Sequence, residues 1–273
     1  MSFSLGPVAR AAGYRLIAHE TIDSTSTEAI RLGLEGDPGR LWIVACEQID
    51  GHGRRGRPWQ TPSGNLAASL LLPVPGDSST TATLGFAAGL ALESAIRAVA
   101  PALGLPSPSK GRLGGGNRLQ LKWPNDVLID GAKVAGILLE AVSPPSGRNG
   151  VVIGIGVNVR QAPLDLPYPA TSLVEAAADV TADALFEALA EAWVEQESLW
   201  NAGRGFAAIR DRWLTRAAGL GAPIAVGLGT EVVRGTFETI DEAGRLVVRA
   251  TDGVVRAISA GEIYFGAAAS VVH

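Results

Sequence analysis

The feature that most constrains the fold of this chain is a change in its hydrophobic pattern near Gly219. Before that point, apolar residues in segments 183–202 and 206–218 recur at the spacing of amphipathic helices. After it come short β-rich runs separated by turn sequences, at residues 224–226, 231–240, 245–250 and 254–258. This pattern predicts a small five-stranded barrel of about 55 residues, 219–273, appended to a larger domain, 1–218.

Several earlier runs have the composition of strands, at residues 41–46, 65–72, 119–122, 127–129, 135–140 and 151–155. Tight turns rather than helices join several of them, so a strict alternation of strand and helix is not indicated. We therefore predict an α+β fold in which helices back a mixed, largely antiparallel sheet. The Pro/Gly/Ser-rich segment 104–117 is predicted to be a long surface loop.

Charge and cysteine content exclude several classes of protein. The net charge of −4 and a pI near 5.5 argue against a broad basic face for nucleic acid. The single cysteine, Cys46, excludes an intrachain disulfide framework and a thiolate-rich zinc site, and it is predicted to be an inert core residue. The three isolated histidines, His19, His52 and His273, do not predict a metal site.

The N-terminal sequence lacks an apolar segment of signal-peptide length, which predicts a cytoplasmic protein. The longest apolar stretch, 83–103, carries Glu93 and Arg97 in its interior. These two charges predict a buried helix of a soluble protein rather than a membrane span.

Residues 51–59, Gly-His-Gly-Arg-Arg-Gly-Arg-Pro-Trp, place a glycine-rich sequence directly after a predicted strand. A dinucleotide-binding fold would need a helix to begin within this motif, but another strand pattern follows instead. Arg54, Arg55 and Arg57 put three cations into four positions, which is unfavourable unless an anion shares them. We favour a loop that binds a small anion through its amides and arginines over a solvated basic turn.

Lysine is rare in this chain and is found only at Lys110, Lys122 and Lys133. Lys122 lies within an apolar strand pattern, where burial of its charge requires an anionic partner. It begins the turn Lys-Trp-Pro-Asn-Asp, in which Asp126 is predicted only to bond its own turn. Lys110 and Lys133 carry no comparable signal.

Two further segments stay open on their residues alone. The string Asp-Ser-Thr-Ser-Thr-Glu at 23–28 opens a helix. Thr25 and Glu28 have capping-box spacing, but the hydroxyls suit a polar small molecule equally well. Gly-Ile-Gly-Val-Asn at 154–158 ends a buried strand and by itself indicates no more than a strand-to-loop turn.

Taken together, five motifs closely resemble those of the biotin protein ligases, the biotin–[acetyl-CoA-carboxylase] ligases. They are Asp-Ser-Thr at 23–25, the loop at 51–59, Lys-Trp-Pro-Asn-Asp at 122–126, Ala-Gly-Ile-Leu-Leu-Glu at 135–140 and Gly-Ile-Gly-Val-Asn at 154–158. The resemblance extends from about residue 14 to the C-terminal β-rich segment. It implies a catalytic domain related to class II aminoacyl-tRNA synthetases, followed by an SH3-like C-terminal barrel.

The resemblance also implies a two-step reaction. Biotin and ATP, the latter with Mg²⁺, would first form biotinoyl-5′-AMP and pyrophosphate. The ε-amine of a lysine on a biotin carboxyl carrier domain, as in acetyl-CoA carboxylase, would then attack this mixed anhydride and release AMP. Neither nucleic acid nor membrane is expected as a partner, and a homodimer is left open.

The same resemblance assigns roles to individual residues. The expected catalytic residues are Lys122 and Arg54. The carboxylate of biotin and the adenylate are expected to contact Gly51, His52, Gly53, Arg54 and Lys122. The ureido ring is expected to contact Ser24, Thr25 and Gln48, and Ser26 is expected to contact biotin or its adenylate. ATP is expected to contact Arg55, Arg57, Trp59 and Asn158.

Two positions depart from the family pattern, because His52 stands where an arginine is usual and Ser26 where an asparagine is usual. If residue 52 acts through its backbone, ligation is expected to survive. If its side chain clamps the loop, the adenylate is expected to leak or to form slowly. Segment 160–169 contains three prolines and is predicted to be a stiff loop that covers the adenylate.

The catalytic pattern begins by about residue 14, so no N-terminal helix-turn-helix domain is expected, which predicts a monofunctional ligase without DNA binding. Two alternatives are kept. One is a lipoate or octanoate ligase of the same superfamily. The other, motivated by His52 and Ser26, is a catalytically impaired protein that binds biotin and regulates.

Overall fold

The structure is a computed structural model that describes residues 2–74, 78–105, 117–144, 149–164, 166–176 and 179–265. Within these residues the chain forms one seven-stranded and one five-stranded sheet. Most of the predicted loop 104–117, together with Lys110 and His273, lies outside the described residues.

The strands of the larger sheet are β1 Arg15–Ile22, β2 Leu41–Gln48, β3 Leu66–Pro73, β4 Leu119–Lys122, β5 Asp126–Ile129, β6 Ala132–Val142 and β7 Gly150–Val157. The described helices are α1 Pro7–Ala11, α2 Thr25–Leu34, α3 Ser78–Ala82, α4 Leu84–Val99, α5 Ala182–Trp200 and α6 Phe206–Leu214. The smaller sheet contains β8 Pro223–Leu228, β9 Glu231–Ile240, β10 Leu246–Ala250, β11 Val255–Ile258 and β12 Glu262–Phe265.

The larger sheet is mixed, with the strand order β1-β2-β3-β7-β6-β5-β4. β1 is parallel to β2, and every other neighbouring pair is antiparallel. The predicted α+β fold with a mixed, largely antiparallel sheet is therefore confirmed. The sequence does not predict β1, because this edge strand is exposed along much of its length and lacks a continuous apolar run.

Helices cover both faces of the larger sheet. On one face lies α2, over a cluster that contains Leu41, Ile43, Leu71, Val142 and Val152. On the other face α4 and α5 contribute to the main core, together with Trp42, Val44, Leu70 and Leu72. Because alternate residues of β2 and β3 point into two cores, these strands read as continuous apolar runs. Cys46 of β2 is half-buried and packs against the main core.

Helix α4 is the buried helix predicted from residues 83–103. The window Ser79–Val99 is long and apolar enough to cross a membrane by length and hydropathy alone, yet 67% of it is buried within the protein. The carboxylate of Glu93 is fully buried and accepts hydrogen bonds from Arg97 and Arg216. These two ion pairs compensate a charge that would otherwise be costly inside the core.

The segment after α6 differs from the prediction that this helix runs to residue 218. The helix ends at Leu214, and the chain then extends along the edge strand β4. The amide of Leu121 donates to the carbonyl of Arg216, and the amide of Ala218 donates to the carbonyl of Leu121, both at 2.8 Å. These bonds occupy the open edge of β4, which a local helical pattern cannot reveal.

The smaller sheet is antiparallel, in the order β11-β10-β9-β8-β12, and confirms the predicted C-terminal β-rich unit. It contacts the larger sheet beside the turn that follows β4, where the Trp123 indole donates to the carbonyl of Gly244 at 3.2 Å. Its edge strand β12 also carries Glu262 and Phe265 to the loop and lysine described next.

Candidate active site

The candidate site lies on the α2 face of the larger sheet, over strand positions that lack side chains. Gly154 and Gly156 are two residues apart in β7 and so face the same side. A Cβ at Gly154 would lie 2.6 Å from the Ser26 hydroxyl, and one at Gly156 would overlap the indole of Trp59. These glycines therefore lie in the buried strand that the motif was predicted to end, and their lack of side chains makes room for Ser26 and Trp59.

The N-terminus of α2 brings the predicted ureido contacts together. Ser24 is the N-cap, because its hydroxyl accepts from the amide of Thr27 at 3.3 Å. The cap is thus Ser24, and Thr25 is free of the capping-box role that its spacing suggested. Thr25 instead donates to the Gln48 side-chain oxygen, from its amide at 2.9 Å and from its hydroxyl at 3.1 Å.

Ser69 of β3 completes this group, although the sequence analysis did not select it. Its hydroxyl is fully buried and lies 2.8 Å from that of Thr25 and 3.0 Å from that of Ser26. The available signal is that Ser69 is the one polar residue in the strand sequence LAASLLLP. We call Ser24, Thr25, Ser26, Gln48 and Ser69 the hydroxyl cluster.

The loop 51–59 folds back on itself next to Gln48. The amide of Gly53 donates to the carbonyl of Arg57 at 2.8 Å, and the amide of Trp59 donates to the carbonyl of Gly51 at 2.7 Å. A side chain at Gly51 would overlap both Gln48 and the Trp59 carbonyl, so only glycine fits there.

The three arginines of this loop diverge rather than converge on one point. Arg54 turns inward and donates to Asn125 Oδ1 at 3.0 Å, whereas Arg57 turns outward and pairs with Glu262 of β12 at 3.0 and 3.2 Å. Arg55 is exposed. Burial, and then the nearby charge of Arg55, lowers the pKa of Arg54, while the bond to Glu262 raises the pKa of Arg57.

Asn125 and Glu140, which were not among the predicted site residues, hold this loop in place. The Asn125 amide nitrogen donates to the carbonyl of Ile137 at 2.8 Å, which leaves its oxygen facing Arg54. The imidazole of His52 lies 3.3 Å from the carboxylate of Glu140 on β6. The side chain of His52, and not only its backbone, therefore makes a contact that ties the loop to the sheet.

Both described lysines lie at the site, including one that the sequence analysis set aside. Lys133 pairs with Asp126 at 2.7 Å and stands over the rings of Trp59 and Tyr168, 5.4 and 5.6 Å from their centroids. Asp126 thus does more than bond its own turn, which corrects that prediction. Its partner is hard to foresee because the pair forms across the β5–β6 hairpin.

Lys122 is half-buried at the end of β4, with its ammonium 5.7 Å from the centre of the Phe265 ring. Within the described residues no carboxylate lies at ion-pair distance from Lys122. Burial lowers the pKa of Lys122, and the charge of Asp126 opposes that shift. We call the three cations Arg54, Lys122 and Lys133, together with the Asp126 carboxylate that pairs with Lys133, the cationic cluster.

Asn158 and the segment after it border the same face. The Asn158 side chain is buried and donates to the carbonyl of Thr171 at 3.2 Å. The loop that begins at Arg160 is held by Asn65, whose side-chain oxygen accepts from the amides of residues 160 and 161. At its far end the Lys133 amide donates to the Pro169 carbonyl, so this segment starts and finishes at the site. Residue 165 lies outside the described residues.

Sequence comparison shows what this chain is similar to. Residues 18–158 match the Biotin/lipoate A/B protein ligase family, and residues 219–266 match the Biotin protein ligase C terminal domain. The biotin–[acetyl-CoA-carboxylase] ligase of Paracoccus denitrificans is 40% identical over 250 residues, which cover 89% of this chain and 98% of that protein. The bifunctional ligase/repressor BirA of Bacillus subtilis is 30% identical over 259 residues, which cover 91% of this chain and 73% of that protein.

Comparison of structures points to the same group of proteins. The biotin protein ligase from Aquifex aeolicus in complex with biotin and ATP matches with a TM-score of 0.74 and 23% identity, over 92% of this chain and 98% of that one. At this identity the likeness concerns the fold. It agrees with the two-sheet architecture described above.

Proposed function

This chain belongs to the biotin/lipoate A/B protein ligase family as a biotin protein ligase, and from that premise we propose how its residues use ATP to join biotin to a protein lysine. The observation that carries the proposal is the adjacency of the hydroxyl cluster and the cationic cluster on one glycine-lined face. Biotin has the matching polarity, with a neutral cyclic urea at one end and a carboxylate at the other.

The first step brings together two anions, the biotin carboxylate and the α-phosphate of ATP. A carboxylate oxygen attacks the α-phosphorus, the bond to pyrophosphate breaks, and biotinoyl-5′-AMP forms. Arg54, Lys122 and Lys133 offset the combined negative charge, while the carboxylate of Asp126 lies among them and pairs with Lys133. Such preorganised cations stabilise charge that develops in the transition state.

We place ATP on the outer side of the loop. Trp59 presents its indole beside Lys133 and suits stacking with adenine, and Arg55 and Arg57 are exposed to meet phosphates. Arg57 would have to share its guanidinium with Glu262, to which it is bonded. Asn158 follows β7, and its buried side chain donates to the carbonyl of Thr171.

We assign Mg²⁺ to ATP rather than to a protein cage. Among the described residues, no group of three or more His, Cys, Asp and Glu side chains is placed to hold a metal ion. Oxygen donors suit Mg²⁺, and the side-chain oxygen of Asn158 is buried without a partner in the described part of the chain, so it could supply one ligand. When bound, the ion would reduce the negative charge of the phosphates.

In the second step the neutral ε-amine of a carrier lysine attacks the acyl carbon of the adenylate. An amide bond forms, the bond to AMP breaks, and the proton lost by the amine passes to solvent. We propose that the carrier is a biotin carboxyl carrier domain of acetyl-CoA carboxylase or a related carboxylase. We further propose that the enzyme acts in the cytoplasm without nucleic acid or membrane as partner, alone or as a homodimer.

The test is incubation of the protein with ATP, Mg²⁺, biotin and a purified carrier domain, followed by mass spectrometry of the carrier. We expect a gain of one biotinyl group that depends on ATP and on the acceptor lysine. In a parallel incubation that contains biotin, lipoate and octanoate at equal concentrations with carrier domains for each, a gain of lipoyl or octanoyl groups in preference to biotin would favour the lipoate-ligase alternative. Tight biotin binding with no mass gain would instead favour a regulator impaired by His52 or Ser26.

A further inference from the structure

We propose that Ser69 is a positioning residue for the cyclic urea of biotin: it donates to the Thr25 hydroxyl and holds that hydroxyl in the hydrogen-bond polarity that Gln48 sets. The Thr25 hydroxyl oxygen would accept from a urea N–H, and the NH₂ group of Gln48 beside it would donate to the urea carbonyl. The inference rests on the proposed function, because the ligand is taken to be biotin. Its basis is the order in which the buried hydroxyls can share their protons.

The backbone amide of Thr25 fixes the orientation of the Gln48 side-chain amide. The backbone amide of Thr25 is an obligate donor and lies 2.9 Å from the side chain of Gln48. The atom that faces it must therefore be the amide oxygen of Gln48 and not its NH₂ group. The NH₂ group is left beside Gly51, where the absence of a side chain leaves room for it.

The direction of the hydroxyl chain follows from that orientation. The Thr25 hydroxyl also contacts the Gln48 oxygen, at 3.1 Å, and only the hydroxyl can donate in this pair. With its proton used, Thr25 must accept at its 2.8 Å contact with Ser69. Ser69 then has no proton left for Ser26, so Ser26 donates to Ser69 at 3.0 Å.

Burial makes this order strict. Ser69 is 0% exposed, and Thr25 and Ser26 are 3% and 7% exposed, so solvent does not offer the hydroxyls other partners. Ser69 pairs with Gly154 across β3 and β7, and a side chain there would displace the Ser26 hydroxyl. The sheet thus holds the Ser26 and Thr25 hydroxyls within hydrogen-bond distance of Ser69.

The result is a set of hydrogen-bonding groups whose donor and acceptor roles are fixed. The Thr25 oxygen donates its proton to Gln48 and accepts one from Ser69, which leaves a lone pair for a ligand N–H. The Gln48 NH₂ group offers a donor to a ligand carbonyl. A cyclic urea presents an N–H and a C=O side by side, whereas the hydrocarbon chain of octanoate presents neither.

The test compares the dissociation constants of two ligands by calorimetry: biotin, and the tetrahydrothiophene valerate that lacks the cyclic urea. For S69A we expect the value for biotin to rise about tenfold, while that of the analogue stays within about twofold. The Michaelis constant for ATP should also stay within about twofold. The matched control is Thr83→Ala. It removes a buried hydroxyl that accepts from Trp200, away from the candidate site, and it should change the dissociation constant of neither ligand.

An equal loss for both ligands in S69A, or no loss for biotin, would overturn the proposal. If S69A does not fold, Ser69→Cys keeps most of the volume with a weaker donor, and it should show an intermediate loss specific to biotin. The wild-type ligation assay separates this inference from the proposed function. Wild-type protein that transfers no biotin refutes the function, while active wild type with an unselective S69A refutes only the role of Ser69.

Discussion

The hydroxyl cluster and the cationic cluster lie side by side, yet they differ in how far the protein completes them. In the hydroxyl cluster all side chains except that of Ser24 bond one another, so each hydroxyl of the Ser26–Ser69–Thr25 chain has an acceptor within the fold. In the cationic cluster Asp126 pairs with Lys133, whereas Arg54 and Lys122 have no carboxylate at ion-pair distance among the described residues. The first is prepared for a neutral polar group, and the second is incomplete until anions arrive.

The pKa directions express the same contrast. Burial lowers the pKa of both Arg54 and Lys122, which means that their charged forms are less well solvated than in water. A bound carboxylate or phosphate would offset that penalty. The free energy that burial of these two cations costs on folding would therefore be recovered when the ligand binds. Residues of the cationic cluster should therefore affect activity much more than stability.

The largest effect is expected for Lys133→Ala. Removal of this cation should slow adenylate formation by about 1,000-fold, since a preorganised charge is lost and Asp126 is left unpaired. The measurement is pyrophosphate release with biotin and ATP. Asp126→Asn, which keeps the lysine, should cost less, and Arg249→Ala, an exposed ion-pair change in the smaller sheet, should leave the rate unaltered. A rate for Lys133→Ala close to that of the Arg249 variant would contradict this assignment.

A somewhat smaller effect, about 100-fold, is expected for Arg54→Ala and for Lys122→Ala in the same assay. Each of these two residues contributes a positive charge to the site, and neither packs in the hydrophobic core. Thermal unfolding should shift little in both variants. Losses of stability that match the losses of activity would show that these residues serve the fold instead.

The pH dependence should reveal Lys122 directly. Because burial lowers its pKa, kcat/KM should fall on the alkaline side at a pH below the ordinary lysine value of 10.5. A bound anion raises the pKa again, so the fall in kcat should come at higher pH. Over the window between the folded and unfolded pKa the unfolded chain binds more protons, so this group makes stability rise with pH. Lys122→Arg should abolish the alkaline fall, and a profile unchanged by that substitution would exclude Lys122 as its origin.

The smallest effect is expected for Glu262→Gln, which breaks the exposed pair between Arg57 and β12. An exposed ion pair contributes about 0–1 kcal/mol, so stability should change little. Freed from Glu262, Arg57 should bind phosphate differently and change the Michaelis constant for ATP about threefold. Glu238→Gln breaks a comparable pair with Arg249 in the same sheet and is the control. Equal kinetics in the two variants would show that β12 does not reach the ATP site.

Much of the fold follows from local pattern. β3, β4 and β7 coincide with apolar runs because their side chains are buried on both faces, and β8 to β11 follow the alternation and turns after Gly219. The edge strand β1 and the extended segment 216–218 escape prediction because their structure depends on a neighbouring strand. Hydrophobic periodicity records whether a residue is buried, but not which backbone it pairs with.

The candidate site likewise contains residues that the sequence indicates and contacts that only the fold creates. The sequence by itself determined the motifs and their order, and it singled out Lys122 as a rare lysine in an apolar strand and Arg54 as part of an arginine-rich loop. Thr25 and Gln48 were expected at the site only from the resemblance to the biotin protein ligases. Only the tertiary structure decided that the loop arginines diverge, that Lys133 pairs with Asp126, and that Ser69 joins Thr25 from 44 positions along the chain. The physical reason is that a hydrogen bond needs atoms within about 3 Å, and strand register and helix placement set such distances.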